Sequence, residues 1–410
     1  MFSVRAVVHS TPSAKIAIAG IPLLVRTVLT LWSAGIRVFT IVGAEIATRE
    51  YAEHEIRRVA GDVRLHWVDG IAQDPEHRSL ACVVITKAEG IFAAPAVTRL
   101  LMRNRLRNVR LAFGDRAGLW LLSPADHQSL VADADFSYAL VRARAGDFCP
   151  VTGEADVERA ERVLFRWSIK PTDGMVSRYF NRPLSTWISR RLSHYDIEPR
   201  QLTAVTALLA LATFAALLTG TLGGLMLGCA LYHVTSVVDG LDGEIARAKY
   251  MSTPRGAALD TGVDMASNLL FMIGISVGTA EVFGDDYLWM ATFIGVTAAV
   301  SIATMASVLR LGPSGGSFDV LQLTIQQRLA AFPRLSRGFY YLNAVFKRDT
   351  FAFLFALMGL AGRPQVIIPW LLAFGVSTWF AAILVNTPAM LRANRDAVLP
   401  PHLKTAPALS

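Results

Sequence analysis

Thirty-eight consecutive residues, Gln201 to Val238, contain no Asp, Glu, Lys or Arg. One membrane crossing takes about 20 residues, so the run is long enough for two. In a bilayer the backbone must satisfy its own hydrogen bonds, so a pair of helices is expected, with Gly220 to Gly224 supplying the turn. Two further uncharged runs follow, Met265–Ala280 and Tyr287–Leu309. After a polar segment come Thr350–Gly362 and Val366–Leu391, the first so short that its span must borrow from its flanks. The expectation is six transmembrane helices. Composition agrees: 53% of residues are apolar and 18% charged, against about 25% charged in a soluble domain. Disorder is excluded, and an entirely water-soluble protein does not fit.

The basic residues sort by position. Segments 239–258, 310–348 and 392–410 hold Arg247, Lys249 and Arg255, then Arg310, Arg328, Arg334, Arg337, Lys347 and Arg348, then Arg392, Arg395 and Lys404. The intervening turns hold only Arg363. With an even number of spans, this bias places both termini in the cytoplasm of a multi-pass inner-membrane protein. The start of the chain has no secretory signal pattern, in keeping with that expectation. The net charge of +8 follows membrane topology and forms no aromatic-interleaved stripe, so nucleic acid is not the expected partner. Cys82, Cys149 and Cys229 are too few and too scattered for a disulfide framework or a zinc site.

Residues 1–164 read as α/β. Val4–His9, Val38–Gly43 and Ala81–Thr86 suit buried parallel strands, and Pro22–Ser33, Ile46–Ala60 and Ala96–Arg105 look helical. Such alternation favours an open sheet covered on both faces. Residues 165–200 form a connector. Within it Phe180, Leu184, Trp187, Ile188 and Leu192 repeat at helical spacing among Arg178, Arg182, Arg190 and Arg191, as in a basic helix lying in a membrane interface. The membrane part then runs 201–395, with a cytosolic tail at 396–410.

Chemistry concentrates where the second span should reach the cytoplasm. Asp239 and Asp242 lie three apart, and Asp260 and Asp264 four apart, so each pair shares a helix face. A short basic loop joins the two helices, which must run antiparallel and bring the four carboxylates to one membrane face. Such carboxylates are costly unless they pair, bind metal or line a wet cavity. All-oxygen ligands suit Mg²⁺ or Mn²⁺, and two such ions would make a clamp for phosphoryl transfer. Gly243 and Gly256 allow close approach, and the planar fork of Arg247 suits a diphosphate.

The full spacing is D-x2-D-G-x2-A-R-x8-G-x3-D-x3-D, with every fixed position filled by Asp239, Asp242, Gly243, Ala246, Arg247, Gly256, Asp260 and Asp264. The membrane part therefore resembles the CDP-alcohol phosphotransferase family. The resemblance implies a six-helix enzyme that binds a CDP-alcohol and two Mg²⁺ or Mn²⁺ ions, passes the phospho-alcohol group to an acceptor hydroxyl and releases CMP. It assigns Asp239, Asp242, Asp260 and Asp264 to the metals, Asp264 also to proton removal from the acceptor, and Gly243, Ala246, Arg247 and Gly256 to the CDP moiety. It also implies a homodimer. Lys347, Arg348 and Arg310 are candidates for the phosphate of an acceptor such as an inositol phosphate, or equally for ordinary anchoring.

The connector, Lys170-Pro-Thr-Asp-Gly-Met-Val-Ser-Arg178 followed by Asn181-Arg-Pro-Leu-Ser185, is similar to that of fused proteins related to inositol-phosphate cytidylyltransferase/di-inositol-phosphate phosphate synthase. The family's Pro-Asn-x-x-Thr appears as Pro199-Arg200-Gln201-Leu202-Thr203, with Arg200 in place of Asn. The resemblance makes residues 1–164 a Rossmann-like, nucleotidyltransferase-like domain. Lys15 to Leu24 and Asp156 resemble its motifs. His9-Ser10-Thr11-Pro12-Ser13 lacks its glycine-rich loop, and Lys87-Ala88-Glu89 stands where a metal-binding Asp is expected, so a degenerate domain for docking or regulation is implied. The competing readings are an ion-coupled transporter, which the one-sided carboxylates and lack of internal repeat disfavour, and a catalytically silent scaffold, which the complete signature disfavours.

Overall fold

The computed structural model describes residues 4–73, 82–103, 109–113, 117–123, 139–142, 146–169, 173–284 and 347–373, with scattered positions between 287 and 303. The chain divides into two compact units. The first is residues 1–168 with 190–196 and 247–251; the second is residues 169–189, 197–246 and 252–410.

In the first unit the chain runs β1 (Val4–His9), β2 (Ala17–Ile18), β3 (Ile21–Pro22), α1 (Leu23–Ser33), β4 (Val38–Val42), α2 (Ile46–Val59), β5 (Arg64–Val68), β6 (Cys82–Lys87), β7 (Gly90–Phe92), α3 (Ala94–Arg103), β8 (Val109–Phe113), β9 (Ala117–Leu122), β10 (Ala139–Arg142), β11 (Phe148–Pro150) and α4 (Val157–Trp167). Seven strands form one sheet in the order β10-β8-β9-β6-β1-β4-β5. All pairings are parallel except those of β9, which is antiparallel to both β6 and β8. Successive side chains of a strand point to opposite faces, and β1 is apolar on both. Ala6 and Val8 enter the larger core with Leu24, Val28, Phe39 and Val84, while Val7 packs with Val42, Val83 and Leu122. This is the α/β sheet that the sequence implies, and α1, α2 and α3 all pack on its Ala6 and Val8 face.

Lys15 and Asp156, which resemble nucleotidyltransferase motif residues, have local partners here. Lys15 Nζ pairs with Glu45 Oε2 at 2.5 Å on the surface. Asp156 accepts from Thr152 N and Oγ1 at 2.9 and 2.8 Å and from Arg159 at 2.7 Å, an arrangement that tightens the turn leading into α4.

The second unit is helical: α5 (Arg182–Leu192) preceded by a π-turn at Ser177–Asn181, α6 (Pro199–Leu217), α7 (Leu222–Ala248), α8 (Pro254–Phe283) and α9 (Arg348–Leu360), followed by an apolar helix, Pro364–Ala373. Among the described residues three helices, α6, α7 and α8, are long and apolar enough to cross a membrane. The expected fourth span falls mostly outside the described residues, as does most of the sixth. α9 starts two residues earlier than the uncharged run, at Arg348.

The α6–α7 turn is tighter than the glycines suggest. Gly220 takes the left-handed conformation at φ +63° and α7 resumes at Leu222, so Gly223 and Gly224 lie inside the helix. Arg200 does not cap α6. Glu198 does, through a reciprocal box with Gln201, and Arg200 pairs with Glu198 on the surface.

Packing inside this unit relies on the absence of side chains. A Cβ on Gly278 of α8 would fall 2.1 Å from the Leu217 carbonyl oxygen and 2.8 Å from Leu225. The carbonyl is backbone and cannot move without shifting the end of α6, whereas the Leu225 methyl can turn aside. Gly278→Val is therefore expected to destabilise by about 1–3 kcal/mol or more, the usual cost of overfilling a packed core. Thermal unfolding of the detergent-solubilised protein checks this, and an unchanged melting temperature would refute the close approach.

Candidate active site

Asp239 and Asp242 lie toward the C-terminal end of α7, Asp260 and Asp264 in the first three turns of α8. α8 starts sharply because Thr253 accepts the Gly256 amide at 3.0 Å and Pro254 occupies its first position. Tyr232 ties the two helices together. Its hydroxyl donates to Asn268 Oδ1 at 2.6 Å and its ring stacks on Phe271 with centroids 3.9 Å apart. Asn268 is one turn beyond Asp264 and Tyr232 two turns before Asp239, so this tie sets the spacing of the carboxylates.

Arg348, the first residue of α9, reaches between the two helices. Its Nη1 lies 3.3 Å from Asp239 Oδ2 and in ion contact with Asp264 Oδ1, and its Nη2 donates to Ser267 Oγ at 3.3 Å. The guanidinium carbon sits 6.0 Å from the centroid of the Tyr232 ring. The next residue, Asp349, accepts the Ser177 amide at 2.6 Å and anchors the connector to α9.

Asp242 is turned elsewhere. It is 7% exposed and accepts from the Thr203 hydroxyl on α6. The motif reading singled out Thr203 without its role, which is to hold a signature carboxylate. Gly243, Ala246, Arg247, Gly256 and Asp260 are all half-buried on α7 and α8. Lys347 is half-buried just before α9, and Arg310 lies outside the described residues.

Sequence reasoning missed Glu244. It lies in one of the two free positions between Gly243 and Ala246, is completely buried, and accepts from Arg182 Nη1, Ser185 Oγ and Ser189 Oγ, each at 2.7 Å. By sequence Arg182 belongs to a basic helix face; the structure turns it inward and leaves 11% of its side chain exposed. It also donates to Asp173 from Nε at 2.9 Å and Nη2 at 3.2 Å. Burial works against its charge, but the bonds and charges of Asp173 and Glu244 outweigh this and hold its pKa above the ordinary value. The signal was present in sequence, since a Glu with no signature role stood among apolar residues.

Among the described residues no three His, Cys, Asp or Glu side chains stand close enough together to hold a metal ion. The donor chemistry nonetheless fits a hard divalent cation. Asp239 and Asp264 offer only oxygen, and Asp239 Oδ1 is buried with no hydrogen-bond partner among the described residues.

The fold thus defines a helical hairpin rich in carboxylates at one end. Residues 197–387 match the CDP-alcohol phosphatidyltransferase family, and the C-terminal part of the chain is a domain of that family. The bifunctional IPC transferase and DIPP synthase of Rubrobacter xylanophilus is 30% identical over 277 residues, which cover 67% of this chain and 54% of that protein. An alignment of that length extends upstream of residue 197. The proteins of the same name from Thermococcus kodakarensis and Aquifex aeolicus are 41% identical over 110 residues and 37% over 127. These cover 27% and 30% of this chain, and 24% and 28% of the relatives. The chain thus spans about half the length of the first relative and about a quarter of the others. Among solved structures, 4-diphosphocytidyl-2C-methyl-D-erythritol synthase aligns with a TM-score of 0.30 at 13% identity, over 40% of this chain and 99% of that one.

Arg348→Met would leave Asp239 and Asp264 facing each other with no cation among the described residues. Removing one partner of a buried pair costs about 3–5 kcal/mol, and the 36% exposure of the Asp264 side chain reduces that to about 1–3 kcal/mol. The check is the melting temperature in chelator, which should fall. An unchanged value would mean that the ion contacts contribute nothing.

Proposed function

We propose that this chain is an integral-membrane enzyme that transfers a phospho-alcohol group from a CDP-alcohol to an acceptor hydroxyl and releases CMP. The observation that carries the reading is the complete signature, borne on two tied helices inside a domain of the matching family. The apolar lengths of α6, α7 and α8 support a membrane-spanning unit, which would reach six spans with the uncharged runs that follow. So does the exposed row Met175, Tyr179, Phe180, Leu184 and Trp187, which would lie in a lipid surface while Ser185 and Ser189 face inward. Both termini and the site would be cytoplasmic, and the active form a homodimer.

Asp239, Asp242, Asp260 and Asp264 would hold two Mg²⁺ or Mn²⁺ ions, which supply charge neutralisation at the transferring phosphate. Arg247 would grip the diphosphate, and Gly243, Ala246 and Gly256 would leave room for the nucleotide. Asp264 has the access a base needs: its side chain is 36% exposed, whereas Asp242 is almost wholly buried. It would take the proton of the acceptor hydroxyl as that oxygen attacks the β-phosphorus. The bond from the β-phosphorus to the bridging oxygen breaks, and the bridging oxygen leaves on the α-phosphate of CMP. Lys347 and Arg348 would meet a phosphate on the acceptor. The names of the relatives favour an inositol-phosphate acceptor over a lipid one. The first unit would act in docking or regulation, because its motif residues Lys15 and Asp156 are engaged locally.

The test is CMP release by purified protein with Mg²⁺ or Mn²⁺, pairing CDP-inositol, CDP-diacylglycerol and CDP-glycerol with lipid and inositol-phosphate acceptors. One pair should give metal-dependent release, and Asp264→Asn should lower turnover by about 10²–10⁴-fold while CDP-alcohol binding persists. Near-native turnover in that variant would sink the assignment of the base. Silence without any CDP-alcohol binding would sink the transferase reading itself.

A further inference from the structure

Glu244 is costly where it stands. A buried carboxylate gives up its hydration, and even a well-made buried ion pair seldom stabilises more than apolar packing would. Leucine at this position would pack in α7 without the cost of burying a charge. Yet four side chains are arranged around the glutamate. Arg182 and Ser185 donate to Oε1 and Ser189 to Oε2, while Asp173 holds the far side of Arg182. Room is made for them too, since a Cβ on Gly240, one turn back on α7, would come within 2.7 Å of Arg182 Nη1.

The helical phase gives this cluster its meaning. At about 100° per residue, Asp239 and Asp242 lie roughly 60° apart, and Glu244 lies about 140–160° round from each. Gripping Glu244 therefore holds α7 from behind the face that carries the signature carboxylates. Apolar packing tolerates rotation of a helix; three directed hydrogen bonds on one carboxylate do not. Side-chain tips lie about 5–6 Å from the axis, so a 20° rotation would shift Asp239 and Asp242 by about 2 Å. Misplacing reacting groups by about 1 Å can cost 10²-fold in rate.

We propose that Glu244 is a positioning residue for the transfer reaction, fixed by Arg182, Ser185 and Ser189 so that α7 keeps the rotation its signature carboxylates require. The inference rests on the transferase reading above. It also gives Arg182 a task inside the protein rather than at a lipid headgroup.

The test uses the full chain and three variants: Glu244→Leu, Arg182→Met and the two combined. Glu244→Leu leaves Arg182 held by Asp173 alone and Arg182→Met strands both carboxylates, so each should lower the melting temperature. The double change is made together with Asp173→Asn, so that no carboxylate loses its cation, and should return it to within a few degrees of the native value. Turnover should not return with it. We expect kcat of the double variant to remain at least about 10²-fold below native, with KM for the CDP-alcohol shifted only a fewfold. A double variant that regains both stability and native kcat would show a merely structural pair and overturn the proposal. Should the double variant fail to fold, Glu244→Gln, which keeps the shape, decides: native kcat in it would also overturn the proposal, and a loss in kcat without a matching loss in KM would support it. Native protein without any CMP release would overturn the transferase reading, and with it a positioning role, since α7 would have no reaction to be aligned for.

Discussion

A carboxylate set into an apolar helix has to be neutralised, and this requirement organises the second unit. Asp239, Asp242, Glu244 and Asp264 all lie on helices whose length and hydropathy suit a bilayer. The described partners are specific: Arg348 for Asp239 and Asp264, Thr203 for Asp242, and Arg182 with two serines for Glu244. Each partner comes from a different helix, α9, α6 or α5. Satisfying the acids and assembling the helices are thus one problem, because a helix that drifted would strand a charge.

Small residues make the arrangement possible. Leu217 at the end of α6 sits against Gly228 of α7 and against Gly274 and Gly278 of α8, where Cβ atoms would collide with it. Close backbone approach of this kind suits helices that gain little from hydrophobic burial against one another. In the same core an aromatic ladder, Tyr232, Phe271, Phe355 and Trp370, fills the gaps between α7, α8, α9 and the helix that follows. Trp370 closes this ladder edge-on to Phe355.

Features with a strong periodic or spaced signal were legible in the sequence: the strands β1 and β4, the spans α6 and α7, and the paired carboxylates. Those set by tertiary contact were not. Nothing local distinguishes β9, whose antiparallel place in an otherwise parallel sheet depends on what β6 and β8 leave open. Arg182 resembles its basic neighbours along the helix and differs from them only through Asp173 and Glu244, 9 and 62 residues away. Arg348 was singled out for its charge at a helix start, yet its contact with Asp239 and Asp264 requires knowing how α9 packs on the hairpin. Thr253, at one of the eight free positions between Arg247 and Gly256, caps α8, with Pro254 in the first helical position.

α7 runs without a break for 27 residues, Leu222 to Ala248, and so measures about 40 Å. The hydrocarbon of a bilayer is only about 30 Å thick. A helix entering at Leu222 would leave that layer near Leu241, and its remaining turns would stand among the headgroups as a rigid post. A molecule dissolved in water and one embedded in lipid could then reach the same side chains, each without leaving its own phase.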